Sequence, residues 1–173
     1  MSETYIQIDG RRIGVGAAPY VIAEMSANHN GSLETAKRII TEARARGADA
    51  VKLQTYRPDT ITLDSDSEEF CIRGGLWDGK TLHDLYEEAH MPWGWHAPLF
   101  EHAREEGITI FSSPFDDTAL ELLESLNAPA YKIASFEAVD LSLIRRVAAT
   151  GKPLIISTGM ADAEEIEEAV EAA

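Results

Sequence analysis

Two lysines stand inside apolar runs, Lys52 in DAVKLQTY and Lys132 in APAYKIASF. Lysine is scarce in this chain, five residues against ten arginines, so this placement is informative. An unpaired ammonium is expensive to bury, and such a position calls for a bound anion or a shifted pKa. Side chains alternate across a strand, which sets Val51 and Leu53 on one face and Lys52 with Gln54 on the other. Tyr131 and Ile133 oppose Lys132 and Ala134 in the same way. An apolar face that packs on helices leaves the polar face to line a pocket, with the two lysines at equivalent strand positions. The alternative is that each lysine pairs with a nearby carboxylate or runs its stem out to solvent.

The other apolar runs also end in polar groups. The first ends in Glu24 before MSANHNGS, and the third in Ser112-Ser113-Pro114-Phe115. The fourth continues to Ser135 and Glu137, and the fifth ends in Ser157-Thr158-Gly159-Met160. Hydroxyls, free N–H groups beside a glycine and a following helix N-terminus make an anion cradle. With two lysines beside it, the cradle suits a phosphate or a carboxylate. Glu24 and Glu137 are the acid–base candidates. Glu24 is expected at a strand tip in a partly dry site with a raised pKa, with a structural ion pair to Lys52 as the alternative.

These residues need elements to position them. TYIQIDGRRIGVG alternates around Asp9-Gly10, which predicts a β-hairpin within residues 1–19. Strands are expected at Tyr20–Ala23, Ala50–Leu53, Thr109–Phe111, Ala130–Ile133 and Pro153–Ile156. Helices are expected at Leu33–Arg46 behind an N-cap at Ser32, at Pro92–Glu106 and at Thr118–Leu126 behind Asp116 or Asp117. Two more follow, Leu141–Thr150 behind Asp140 and a last one from Asp162 to Ala173 with a capping box to Glu165. Five β-then-α units in succession predict a parallel sheet. The long stretch from Thr55 to Met91, with a short helix over Thr81–Ala89, follows a strand end and is expected to shape the site.

Two architectures fit five such units, an open flavodoxin-like sheet or part of a TIM barrel, which typically needs ~250 residues. Length favours the first; the polar strand ends favour the second. SANHNG after the first strand is neither a dinucleotide fingerprint nor a Walker loop. The histidines form no convincing ligand pair, although His29 can reach the mouth from the first loop. Trp77, Trp93 and Trp95 around the insertion are expected to pack, with a sugar-facing platform as the other option.

A net charge of -15 argues against nucleic-acid or anionic-membrane partners. A lone Cys71 leaves no internal disulfide. No apolar run approaches a membrane span and no signal peptide is visible, so a cytoplasmic location is expected.

In this order, AEMSANHNGS, GADAVKLQTY, FSSPFD, PAYKIASFE and GKPLIISTGM resemble the sialic acid synthase family, from Tyr20 to Ala173. EMSANHN and GLWDGKTLHDLYEEAH look more like its pseudaminic acid branch than its N-acetylneuraminate branch. The resemblance implies a TIM (β/α)8-barrel transferase of carbohydrate biosynthesis that joins phosphoenolpyruvate to an amino-sugar aldehyde, using a divalent metal, manganese or magnesium. For the pseudaminic acid branch the sugar is a diacetamido-trideoxy-altropyranose. It assigns Lys52, Ser113, Lys132, Ser135, Ser157 and Gly159 to phosphoenolpyruvate, Gln54 and Glu137 to the sugar, and Glu24 to the metal-bound aldehyde or water. Catalysis is expected of Glu24, Lys52 and Lys132. The metal-binding histidines, the last three βα units and an antifreeze-like domain that completes a homodimer are expected outside this chain. Residues 20–173 are therefore read as a partial barrel, inactive alone. A Schiff-base aldolase and a non-catalytic ligand-binding fragment remain as rival readings.

Overall fold

Parallel strands joined by helices can either reverse direction of growth or keep adding to one edge, and this chain does the second. A computed structural model describes residues 5–173; positions 1–4 of the expected hairpin segment lie outside the described residues. A hairpin comes first, β1 (Tyr5–Ile8) and β2 (Arg11–Gly14), turning at Asp9 and Gly10, both at positive φ. Five parallel strands follow, β3 (Ile22–Glu24), β4 (Ala50–Thr55), β5 (Thr109–Pro114), β6 (Tyr131–Ile133) and β7 (Leu154–Ile156). Their spatial order equals their chain order. Right-handed crossovers in an unreversed order put every helix on one face, so the sheet must curl its other face inward. An open doubly wound sheet reverses its order partway. The result is a curled parallel half-barrel.

The helices are α1 (Leu33–Ala45), α2 (Pro58–Ile61), α3 (Leu82–Ala89), α4 (His96–Glu106), α5 (Asp117–Ser125), α6 (Leu141–Ala148) and α7 (Ala163–Ala172). Side chains close their first turns. Ser32 accepts from Thr35 N–H, Asp116 from Thr118 and Ala119, and Asp140 from Leu143. Asp162 and Glu165 satisfy each other's backbone N–H in a capping box. The expected Pro92–Glu106 helix is a 3-10 turn at Trp93–Trp95 followed by α4. Gly94 weakens the α-helix there, and Trp95 N–H closes back on the Pro92 carbonyl instead.

Alternation along the strands builds two layers. Outward side chains, including Val51, Leu53, Ile110, Tyr131 and Ile133, form the main core against the helices with Ile40, Leu99, Leu123 and Ile144. Inward side chains at the N-terminal strand ends, Ala50, Phe111 and Ala130, pack with Ile8 of the hairpin, and Ile13, Ile22 and Ile155 complete this floor. The hairpin thus seals the lower end. Above the floor the inner face turns polar, and the site begins.

Candidate active site

The inner face at the C-terminal strand ends carries Glu24, Lys52, Gln54, Ser113, Lys132 and Ser157. Glu24 pairs with Lys52 in register across β3 and β4, and Gln54 with Ser113 across β4 and β5. Lys52 is 4% exposed. Its Nζ makes an ion pair with Glu24 Oε1 at 2.8 Å and reaches Ser113 Oγ and the Leu53 carbonyl, each at 3.4 Å. One carboxylate and two neutral oxygens therefore hold this ammonium in place.

Lys132 stands on the same face, two strands over. Ser112 pairs with Tyr131, which sets Lys132 level with Ser113 and Gln54, two residues nearer the mouth than Lys52. The equivalent strand positions expected from the sequence are thus not found, because strands of a curled sheet shear past one another. Burial, followed by the charge of Lys52, pushes the Lys132 amine below its ordinary value, while Glu24 and Glu137 oppose the shift. No carboxylate lies within ion-pair distance of Lys132 among the described residues.

Beyond β6 the chain makes a 3-10 turn, Phe136–Val139, which brings Glu137 back over the mouth. Glu137 Oε2 and Ser135 Oγ are both buried without a hydrogen-bond partner. Burial pushes the Glu137 carboxyl up, with Lys132 opposing. Gly159 closes in from the β7 tip, where a side-chain carbon would sit 3.5 Å from Ser135 Oγ. Ser157 is half-buried and Gly159 exposed, on the edge strand where no further strand covers them among the described residues. Two ammonium groups, two buried polar atoms without a partner and the glycine-bearing tip of β7 thus gather at one mouth.

Glu24 departs from expectation. Its side chain is 48% exposed rather than partly dry, because β3 is an edge strand with a neighbour on one side only. The ion pair with Lys52, the alternative reading, is present. His29 does not reach the mouth. It is 1% exposed and meets Trp95 edge-on at 5.5 Å, and burial pushes its imidazole below its ordinary value. Trp93 lies under the Arg57 guanidinium, 4.1 Å from the ring centroid.

Two features escaped the sequence reading. Tyr56, Tyr86 and Phe115 form an aromatic wall, with Tyr56 edge-on to each neighbour at 5.4 Å. Burial, followed by the charge of Glu137, raises the Tyr86 phenol. The second is a polar cluster around Thr55 and Ser112. Its signal was legible, since both fall on the outward, otherwise apolar parity of their strands.

Among the described residues, no group of three or more His, Cys, Asp or Glu is placed to hold a metal ion, and no helix is long and apolar enough to cross a membrane. The NeuB family model matches residues 39–173. Pseudaminic acid synthase of Campylobacter jejuni (strain 81-176) is 53% identical over 147 residues, 85% of this chain and 43% of that protein. The Helicobacter pylori pseudaminic acid synthase is 53% identical over 152 residues, 88% of this chain and 45% of that protein. The chain thus spans less than half the length of these curated relatives. Among solved structures, N-acetylneuraminic acid synthetase from Leptospira borgpetersenii, in complex with citrate, superposes with a TM-score of 0.84 at 29% identity, covering 98% of this chain and 55% of that one. A truncated 3-deoxy-D-arabino-heptulosonate 7-phosphate synthase from Thermotoga maritima reaches a TM-score of 0.63 at 12% identity, a likeness of fold alone.

Proposed function

The chain belongs to the NeuB family, the sialic acid synthases, and from that premise we propose that it builds the phosphoenolpyruvate side of a nonulosonic acid synthase, a transferase of the pseudaminic acid type. The observation that carries this reading is the pair of ammonium groups, Lys52 and Lys132, on one inner face with one carboxylate in contact between them among the described residues. Such a surplus of positive charge, in a chain of net charge -15, fits an anionic ligand.

In this reading Lys52, Ser113, Lys132 and Ser135 bind the phosphate and carboxylate of phosphoenolpyruvate, with Ser157 and the Gly159 backbone closing the cradle. Gln54 and Glu137 hold the amino-sugar aldehyde, and the Tyr56–Tyr86–Phe115 wall offers its apolar side. The enol carbon forms a bond to the aldehyde carbon, whose oxygen takes a proton. Water adds to the cation left on the enol oxygen's carbon and loses a proton. The tetrahedral product then breaks the bond from its carbon to the phosphate oxygen, and its hydroxyl proton passes to the departing phosphate, leaving the keto acid. Lys52 and Lys132 balance the negative charge throughout, and Glu24, solvent-open and ion-paired with Lys52, takes the proton from water in this reading. Manganese or magnesium finds no ligand set among the described residues, and no step here runs through it. The cytoplasm and a homodimer are the setting this reading carries with it.

Calorimetric titration with phosphoenolpyruvate tests the proposal. Lys132→Ala should weaken binding by roughly ten- to a hundredfold, the range for one charge-assisted contact. Binding indifferent to that change removes Lys132 from the site. The lowered Lys132 amine also suits a Schiff-base aldolase. Borohydride with pyruvate would then label a lysine covalently, whereas a phosphoenolpyruvate synthase gives no adduct.

A further inference from the structure

Behind the mouth, on the outer face of the sheet, three polar side chains are sealed among apolar ones. Thr55, His96 and Ser112 are each 0% exposed, in a layer otherwise made by Val51, Leu53, Ile110 and Leu99. Hydrogen bonds run through them in one direction. His96 Nδ1 lies 3.2 Å from the Trp93 carbonyl oxygen, which can only accept, so Nδ1 carries the ring proton. Nε2 is then the acceptor and takes the Thr55 hydroxyl proton at 2.9 Å. Thr55 Oγ1 in turn accepts from Ser112 Oγ at 2.7 Å. One residue at the start of α4 thereby ties together the tips of β4 and β5.

The placement of those two hydroxyls is selective. The outer face is aliphatic at 51, 53 and 110, and turns polar only at Thr55 and Ser112. Their chain neighbours are Gln54 and Ser113, which pair in register across the mouth. A valine and an alanine would fill the same space with nothing to satisfy, whereas buried hydroxyls are costly unless every partner is present. A fully bonded network in exchange fixes one geometry. His96 is itself steadied by Trp93, whose ring lies 5.8 Å away and is covered by Arg57, two residues past β4.

We propose that His96 is a positioning residue for the anion site: acting through Thr55 and Ser112, it sets the β4 and β5 tips so that Gln54, Ser113 and the Lys52 ammonium face bound phosphoenolpyruvate. This rests on the phosphoenolpyruvate reading given above. The test is calorimetric titration of the 173-residue chain with phosphoenolpyruvate, for wild type, His96→Asn, His96→Gln, Thr55→Val and Leu99→Ala, with folding followed by circular dichroism. His96→Asn and Thr55→Val should each weaken binding about tenfold, and the double variant no more than either alone, since both cut one link. His96→Gln, whose longer amide can bridge the Trp93 carbonyl and Thr55, should recover part of the loss. Leu99→Ala lies on the same helix and in the same core but bonds to neither strand tip; it should lose thermal stability and keep its affinity. Wild-type affinity in both His96→Asn and Thr55→Val overturns the inference, as does an equal loss in Leu99→Ala, which would mean general loosening. Absence of binding by the wild type overturns the functional reading itself.

Discussion

In the proposed phosphoenolpyruvate site, Lys52 serves binding at the expense of folding. Its ammonium is buried and bonded to Glu24, yet the Glu24 carboxylate is half-exposed and water-screened, so little of the desolvation cost is recovered. Lys52→Met should therefore leave stability unchanged or raise it, while abolishing phosphoenolpyruvate binding; urea unfolding and calorimetry on the same sample check both halves. His96 makes the opposite case. Burial pushes its imidazole down to about 4, against ~6.5 in an unfolded chain. Between these values the unfolded chain takes up a proton that the folded chain refuses, so stability is complete above ~6.5 and falls as the pH drops. By pH 5 the loss should be about 2 kcal/mol, read from urea midpoints at pH 7 and pH 5. His96→Gln should remove most of that slope; His29, also pushed down by burial, should leave a smaller one of the same sign.

At the scale of elements, helix ends are set by single residues. α4 stops at Gly107, whose φ is 67° and whose N–H closes on the last turn. A side chain there meets no neighbour, so the cost of Gly107→Ala is backbone strain alone, about 1–2 kcal/mol. Asp116→Ala strips the cap of α5 from two N–H groups and should cost about 1 kcal/mol. Equilibrium unfolding in urea measures both, and the two should add because the sites share no partner. The caps at Ser32, Asp116, Asp140 and Asp162 were legible in the sequence because a cap depends on residues within one turn. The break at Trp93–Trp95 was less so. Its stability comes from Arg57 and His96, which no local pattern brings to Trp93.

For the whole molecule, the decisive fact is the unreversed strand order, which gives the inner face its two levels. Ile8 of the hairpin seals the floor, and the polar groups gather above it. The same order leaves β3 and β7 as edges among the described residues, with Leu154, Ile155 and Ile156 only half-buried. Unpaired edges that carry apolar side chains seek another strand. The 173-residue chain should therefore self-associate as its concentration rises. Sedimentation velocity would reveal this as a shift toward larger species, and a monomer unchanged over a hundredfold range would count against it.

The sequence by itself determined which side chains share a face, because alternation in a strand and capping in a helix are local rules. Lys52 with Gln54, Lys132 with Ala134, and the hairpin at Asp9-Gly10 all follow from neighbours a few residues apart. Only the tertiary structure decided heights and surroundings. The shear between strands set Lys132 above Lys52, an edge position left Glu24 open to water, and packing across the sheet enclosed His96 with Thr55 and Ser112. Each of these depends on residues distant in the chain, whose meeting no local periodicity encodes.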